Sequence, residues 1–380
     1  MIGEKKAKHA VLAAVRLPGT DDDEFDSSLQ ELSELAVTAG FILAGTVVQS
    51  REQPDVTCFM GKGKLEELRA DYAEAADAII FNHELSPSQI RNVERETGLR
   101  ALTRTEVILD IFAIHAKTRA SKLQVEMASL TYQMPRIIGK GIEMSRIEGG
   151  IGMKGPGEQQ LELDRRKIRF RLSAIKRELK IVSRERENQR KRRKGGDPKI
   201  AIVGYTNSGK STLLNRLTNQ SVAAENKLFV TLDTTTRKIW LGGNEYAAIT
   251  DTVGFIRDIP HGLIESFKST FEDTMIADLL IHVVDLSAPD FEEKRRVAEK
   301  AFLETGSSSI PEILVFNKID RVSEEEIRRT GIKYPGAMFV SAAEKTGLEE
   351  LREAIWKSLK DKRAGRSMPD TGFRETPTEI

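Results

Sequence analysis

The chain has 380 residues, 39% of them apolar and 31% charged, with 59 Lys and Arg against 58 Asp and Glu. That length suits two or three domains, and that apolar share builds real cores, which excludes a disordered chain. A single cysteine, Cys58, excludes an internal disulfide, no apolar run approaches the ~20 residues of a membrane span, and the charged first ten residues lack a signal peptide's apolar core; together these make a cytoplasmic protein the expectation, with peripheral membrane association left open.

Residues 1–104 alternate apolar runs (9–17, 41–49, 77–81) with helical patterns (27–38, 64–75, 86–97). Such alternation predicts a small α/β domain on a mostly parallel sheet. Residues 105–194 change character. Ala116, Ala120, Leu123, Met127, Leu130 and Met134 form one narrow seam, and Ile168, Leu172, Ile175, Leu179 and Val182 a second. Two seams at heptad-like spacing predict an antiparallel two-helix coiled coil, with Pro135 ending the first helix. Between the helices, 137–158 holds seven glycines and reads as a long loop, functional or disordered rather than a plain spacer. From 161 to 194 there are fifteen Lys or Arg against five Asp or Glu, a net of +10. With Lys140, Arg146 and Lys154 at the glycine-rich tip, that charge points to RNA phosphates. Aromatic residues are sparse there, so base stacking is not the expected mode. Gly195-Gly196-Asp197-Pro198 reads as a linker, 199–360 as a third, α/β domain, and 361–380 as a polar tail.

The third domain carries the chemistry. An apolar strand over 199–203 runs into Gly204, Tyr205, Thr206, Asn207, Ser208, Gly209, Lys210, Ser211 and Thr212, then a helix over 213–217. This is G-x4-G-K-S between a strand and a helix, the context the phosphate-binding loop requires. Backbone amides and the helix N-terminus face the phosphates, Lys210 reaches the β- and γ-phosphates, and Ser211 ligates Mg²⁺. Asp251, Thr252, Val253 and Gly254 follow a second apolar strand (246–250); Asp251 can hold the metal through a water, and the Gly254 amide can meet a γ-phosphate. The apolar run 279–284, interrupted by His282, reads as a buried parallel strand. Asn317, Lys318, Ile319 and Asp320 end the strand 312–316, where the Asp320 carboxylate can accept from guanine N1 and N2, a donor pair that adenine lacks. Ser341, Ala342 and Ala343 end the strand 337–340 and can close over the base. Each element sits at a strand's C-terminal end, the edge where open α/β sheets bind ligands.

In this order the elements resemble the translation-factor-like class of P-loop GTPases, with GTP as substrate and GDP as product. Gly61-Lys-Gly-Lys-Leu-Glu-Glu-Leu68, Leu109-Asp-Ile-Phe112, Lys122-Leu-Gln-Val-Glu126, Gly149-Gly-Ile-Gly-Met-Lys-Gly-Pro-Gly-Glu158 and Leu228-Phe-Val-Thr231-Leu-Asp233 resemble the HflX family, over roughly residues 8–360. The resemblance implies a monomeric, ribosome-associated GTPase that binds the 50S subunit and its rRNA and splits or rescues stalled ribosomes. It also implies that Thr231 is the switch threonine that ligates Mg²⁺ with GTP bound, with Phe229, Val230, Leu232 and Asp233 beside it; spacing alone leaves Thr234, Thr235 and Thr236 open. Two stretches depart from the family: the chain reads Gly155-Pro-Gly-Glu-Gln-Gln-Leu-Glu-Leu-Asp164, where the family has Thr at the fifth and ninth places, and Thr234 stands where proline is usual.

Three rivals are an ATP-hydrolysing enzyme, against which Asp320 argues; an RNA-binding scaffold, which needs no complete nucleotide site; and a GTP-regulated RNA-binding or assembly factor without splitting activity. Phe255 occupies the place where many GTPases carry a water-orienting glutamine, so slow intrinsic turnover is expected. GTPases with an apolar residue there and asparagine at the position of Asn207 resemble a class that binds K⁺ between that asparagine and switch carbonyls. Lys210, Thr231, Gly254 and Asn207 are therefore the candidate catalytic residues, and K⁺ a candidate cofactor beside Mg²⁺.

Overall fold

The computed structural model describes residues 8–148, 156–192, 197–218, 228, 229, 232, 234–243, 245–257, 276–305 and 309–363. They form two compact units, one ending at Arg192 and one beginning at Arg193.

In the first unit, β1 (Lys8–Arg16), β2 (Phe41–Ser50), β3 (Ala78–Phe81) and β4 (Arg100–Thr103) make a parallel sheet in the order β2-β1-β3-β4. Central β1 is buried along most of its length, which is why it reads as an unbroken apolar run rather than an alternating one. Three helices alternate with these strands: α1 (Asp22–Thr38), α2 (Lys62–Tyr72) and α3 (Pro87–Thr97). Their ends follow local chemistry. The Asp21 side chain accepts from the Glu24 amide at 3.1 Å, and Ser86 and Gln89 form a capping box ahead of Pro87. Caps of this kind contribute about 1 kcal/mol each. Gly98 closes α3 at φ +74°, a left-handed turn that favours glycine.

Strand β4 and helix α4 (Arg104–His115) were not expected from sequence. Arg104 is only 2% exposed; its guanidinium pairs with Glu31 of α1 and donates to Asn82 Oδ1 at 3.1 Å. Removing one partner of such a buried pair costs ~3–5 kcal/mol. Because α4 is bonded to α1 and to the end of β3, we place the end of the α/β part after α4 rather than at 104.

Helices α5 (Arg119–Glu148) and α6 (Pro156–Arg192) lie antiparallel. Arg119 pairs with Glu178 at 2.8 Å and Glu126 with Arg171 at 2.6 Å, so a step up one helix matches an equal step down the other. Pro135 does not end the first helix, and 137–148, expected as loop, are helical. Two physical reasons apply. The carbonyl that Pro135 leaves unbonded belongs to exposed Thr131, where water can satisfy it. The neighbours of Pro135 are also pinned: Tyr132 Oη lies 2.6 Å from Thr103 Oγ1 and donates to Glu84 Oε2 at 2.6 Å, and Arg136 meets Glu106 at 2.5 Å. Of the glycine-rich stretch, 149–155 lie outside the described residues, as do Gly195 and Gly196 of the linker.

The second unit is a sheet in the order β10-β9-β8-β5-β7-β6. Its strands are β5 (Lys199–Gly204), β6 (Thr235–Gly242), β7 (Glu245–Asp251), β8 (Leu279–Asp285), β9 (Glu312–Asn317) and β10 (Met338–Phe339). All pair in parallel except β6 with β7. Helices α7 (Lys210–Leu217), α8 (Phe291–Thr305), α9 (Glu324–Lys333) and α10 (Leu348–Arg363) accompany the sheet. Leu213, Leu214 and Leu217 of α7 and Leu351, Ile355 and Leu359 of α10 share one core with Ile200, Ile249 and Ile281 of the strands. The architecture is the α/β class expected, a G domain preceded by a small α/β part and a helical hairpin.

Candidate active site

At the C-terminal edge of this sheet, loops from separate strands meet at one spot. The loop from Gly204 to Gly209 leaves β5 and enters α7, with Asn207 at φ +59° and Gly209 at φ +92°. Gly209 has no substitute: a Cβ there would stand 2.2 Å from Asn317 Nδ2. The same Asn317 Nδ2 donates to the Ser208 carbonyl at 2.9 Å, and its Oδ1 accepts from the Ala342 amide at 3.0 Å. One buried amide side chain therefore ties the phosphate loop, the Asn317–Asp320 turn and the 341–343 loop together.

Lys210 opens α7 and turns back over the loop, its Nζ donating to the Tyr205 carbonyl at 2.7 Å. Burial pushes its pKa down to about 8, with the Lys318 charge adding to the drop and Asp251 opposing it. Ser211 Oγ donates to Asp251 Oδ2 at 2.6 Å, which brings the two expected metal-binding groups side by side. A hydroxyl beside a buried carboxylate fits Mg²⁺, a hard cation that keeps waters and takes its other ligands from phosphate oxygens. Gly254 packs on Lys210, where a Cβ would come within 2.8 Å of Nζ. Thr206 Oγ1 and Ser208 Oγ are buried with no hydrogen-bond partner among the described residues, donors that a phosphate group could use.

On the far side of the spot, Asp320 Oδ1 accepts from Ser341 Oγ at 2.5 Å, and the Glu344 amide donates to that same hydroxyl at 3.0 Å. Lys318, at φ +64°, pairs with Asp285 at the end of β8 at 2.7 Å. Phe255 is buried and stacks edge-on against Phe302 at 5.3 Å, so it offers nothing to an attacking water. The Asn207 side chain makes no hydrogen bond to a described residue.

The structure thus brings together the phosphate-loop residues 204–212, Asp251 to Gly254, Asn317 to Asp320, and Ser341 to Ala343. Phe229 and Leu232 are buried, whereas Val230, Thr231 and Asp233 lie outside the described residues. Sequence reading missed two supports. Arg216 of α7 donates through Nε to the Ala342 carbonyl at 3.0 Å and through Nη2 to the Ala343 carbonyl at 3.3 Å, and Asp285 anchors Lys318. Neither carries a motif signal, because each partner lies on a distant stretch of chain.

Comparison with known proteins bears on most of the chain. Residues 199–318 match a family model described as a 50S ribosome-binding GTPase, and 301–360 match the C-terminal region of that domain. Residues 26–113 match the N-terminal part, and 115–193 the middle region, of a GTP-binding GTPase. The GTPase HflX of Caldanaerobacter subterraneus subsp. tengcongensis is 46% identical over 93% of this chain and 81% of its own length. That of Escherichia coli K12 is 40% identical over 90% of this chain and 80% of its own. Among solved structures, the crystal structure of an SsGBP and GDP complex superposes with a TM-score of 0.52 at 25% identity, covering 93% of this chain and 99% of that one.

Proposed function

The chain belongs to the HflX family of GTPases, and from that premise we propose that it docks on the large ribosomal subunit and uses GTP to split or rescue stalled ribosomes. Hydrolysis of GTP follows from the family and from the G domain. One observation carries the ribosomal reading: along α6, Arg166, Arg169, Lys176, Lys180 and Arg184 are exposed and have no acidic partner among the described residues. On a helix of 37 residues, about 55 Å long at 1.5 Å per residue, these charges make an arm suited to RNA phosphates. On this reading the protein acts in the cytoplasm, and as a monomer.

In the proposed site, Lys210 and the loop amides would hold the β- and γ-phosphates, and Ser211 and Asp251, already side by side, would hold Mg²⁺. Mg²⁺ would neutralise charge on the transferring phosphoryl group. The Gly254 amide reads the γ-phosphate, Asp320 reads guanine, and Ser341 to Ala343 cover the base. Thr231 would join them as a metal ligand when GTP is bound, on family resemblance alone. Phe255 supplies no group to orient water, so a charge or an ordered switch must come from elsewhere. We assign one source to K⁺ held by Asn207, whose amide has no other engagement in the loop, and a second to the ribosome, which orders the switch loops on docking.

Both sources are read in one experiment, GTP turnover by the full chain with and without 50S subunits, in KCl and in NaCl at equal ionic strength. Turnover should rise with 50S subunits, K⁺ should stimulate more than Na⁺, and Asn207→Ala should remove the K⁺ difference. Equal rates in the two salts, with and without ribosomes, would discard the ion. A rate indifferent to 50S subunits would leave the slow site unexplained by ribosome-driven ordering.

A further inference from the structure

We propose that Arg257 is a positioning residue for hydrolysis, holding the Asp251–Gly254 segment against the phosphate loop so that the Gly254 amide faces the γ-phosphate; the inference rests on the phosphate-site assignment above. Arg257 follows Gly254 by three residues. Its guanidinium is buried, with Nη2 2.6 Å from Asp290 Oδ2 and Nη1 3.5 Å from Glu293 Oε1, two acids at the start of α8. Its backbone amide donates to Tyr205 Oη at 2.8 Å. Tyr205 is the second residue of the phosphate loop, and its carbonyl is the one that Lys210 Nζ binds.

The backbone closes the same circuit. The Phe255 amide donates to the Gly204 carbonyl at 3.1 Å, and the Thr206 amide donates to the Phe255 carbonyl at 2.7 Å. Gly254 is thus gripped on both sides: zipped to the loop through Phe255, and tethered through Arg257 to Tyr205 and to α8. Lys294 joins the tether, pairing with Asp290 at 2.8 Å while its Nζ lies 5.6 Å from the centre of the Tyr205 ring.

An arginine is a costly filler for this place. Burying a guanidinium carries a desolvation penalty that an apolar side chain of similar volume avoids. A buried guanidinium that is hydrogen-bonded to Asp290 and ion-paired with Glu293 fixes direction as well as distance, which packing alone does not. What it fixes is the backbone three residues after the one that meets the γ-phosphate.

The alternative is that Arg257 only staples α8 to the sheet. The two roles differ in one observable, because GDP has no γ-phosphate. A staple supports GDP and GTP binding alike, whereas a positioning residue supports only what the γ-phosphate touches.

The test measures affinity of the full chain for GDP and for a non-hydrolysable GTP analogue, both with Mg²⁺, together with single-turnover GTP hydrolysis. Arg257→Met should lose ~10- to 100-fold in turnover and in analogue affinity, the scale of a lost charge-assisted hydrogen-bonded pair. GDP affinity should stay within about threefold, as expected where no contact to GDP is removed. Arg257→Lys should recover part of the loss, since it keeps the charge without the planar guanidinium. Tyr205→Phe should move the analogue-to-GDP ratio in the same direction by less. If Arg257→Met fails to fold, Arg257→Lys and Tyr205→Phe carry the same comparison. A ratio unchanged in every variant, or GDP and analogue affinities falling in parallel, would overturn the proposal. A wild-type chain that binds neither nucleotide would instead strike down the site assignment beneath it.

Discussion

Lys210→Ala is expected to lower GTP turnover at saturating nucleotide by ~10²- to 10³-fold or more, the range seen when a preorganised charge is removed from developing oxyanions. The magnitude follows from burial. Lys210 is buried against the Tyr205 carbonyl and Gly254, and alanine there leaves no positive charge in its place. Burial holds its pKa at about 8, well below the ordinary lysine value. The sign is then fixed. A lysine whose pKa is depressed in the fold destabilises the fold while charged, below pH 8, and that cost fades as pH rises toward the unfolded lysine's pKa. A phosphate beside it reverses the balance by favouring the charged form. Nucleotide binding should therefore take up a proton near and above pH 8, and affinity should fall as pH rises through that range. Titration calorimetry at pH 8.5 in buffers of different ionisation enthalpy reads this uptake directly, and Lys210→Ala should abolish it. Ser211→Ala should match the turnover loss through the metal. A Lys210→Ala chain that keeps a tenth of wild-type turnover would mean that the phosphates sit elsewhere.

Asp320→Asn is expected to exchange guanine for xanthine specificity. The hydrogen bond from Ser341 Oγ to Asp320 Oδ1 holds one carboxylate oxygen in place. An asparagine that keeps this acceptor must turn its amide NH₂ toward the base. An acceptor becomes a donor, which faces the guanine N2 donor badly and the xanthine C2 carbonyl well. Sites built on such a hydrogen-bonding pair discriminate on the order of 10⁴-fold, so a large loss of GDP affinity and a gain for XDP should appear together. Because Arg216 and Asn317 hold the 341–343 loop independently, the variant should fold normally. Unchanged GDP affinity would remove Asp320 as the base reader.

How much of this was legible in sequence depended on how local each cause is. The phosphate loop could be read because its glycines, its lysine and its flanking apolar strand act through neighbouring backbone. β8 could be read for a similar reason: a strand buried on both faces is an unbroken apolar run, even with His282 in it. β4 and α4 were missed because Arg100 and Thr103 leave β4 without the unbroken apolar run that marked equally short β3, and because Arg104, a polar residue at a helix start, is buried through Glu31, which lies 73 positions away. Pro135 misled for a related reason. Its local rule was right, but Tyr132 and Arg136 are pinned by Glu84 in the loop after β3, Thr103 of β4 and Glu106 of α4, and tertiary bonds overrode the break. Arg216, Asp285 and Arg257 act through partners that only the fold brings near, and no spacing announces them.

Ribosome docking is the central claim, and the most direct measurement is sedimentation of the full chain with purified 30S, 50S and 70S particles, with GDP or a non-hydrolysable GTP analogue, across rising salt. The account predicts pelleting with 50S particles, more with the analogue than with GDP, and a steep loss as salt rises, because cations along α6 would release counterions from RNA phosphates. Reversing Arg166, Arg169 and Lys176 to glutamate should weaken pelleting and flatten its salt dependence. Equal pelleting with 30S and 50S particles, or binding to 50S that ignores both salt and these substitutions, would contradict it.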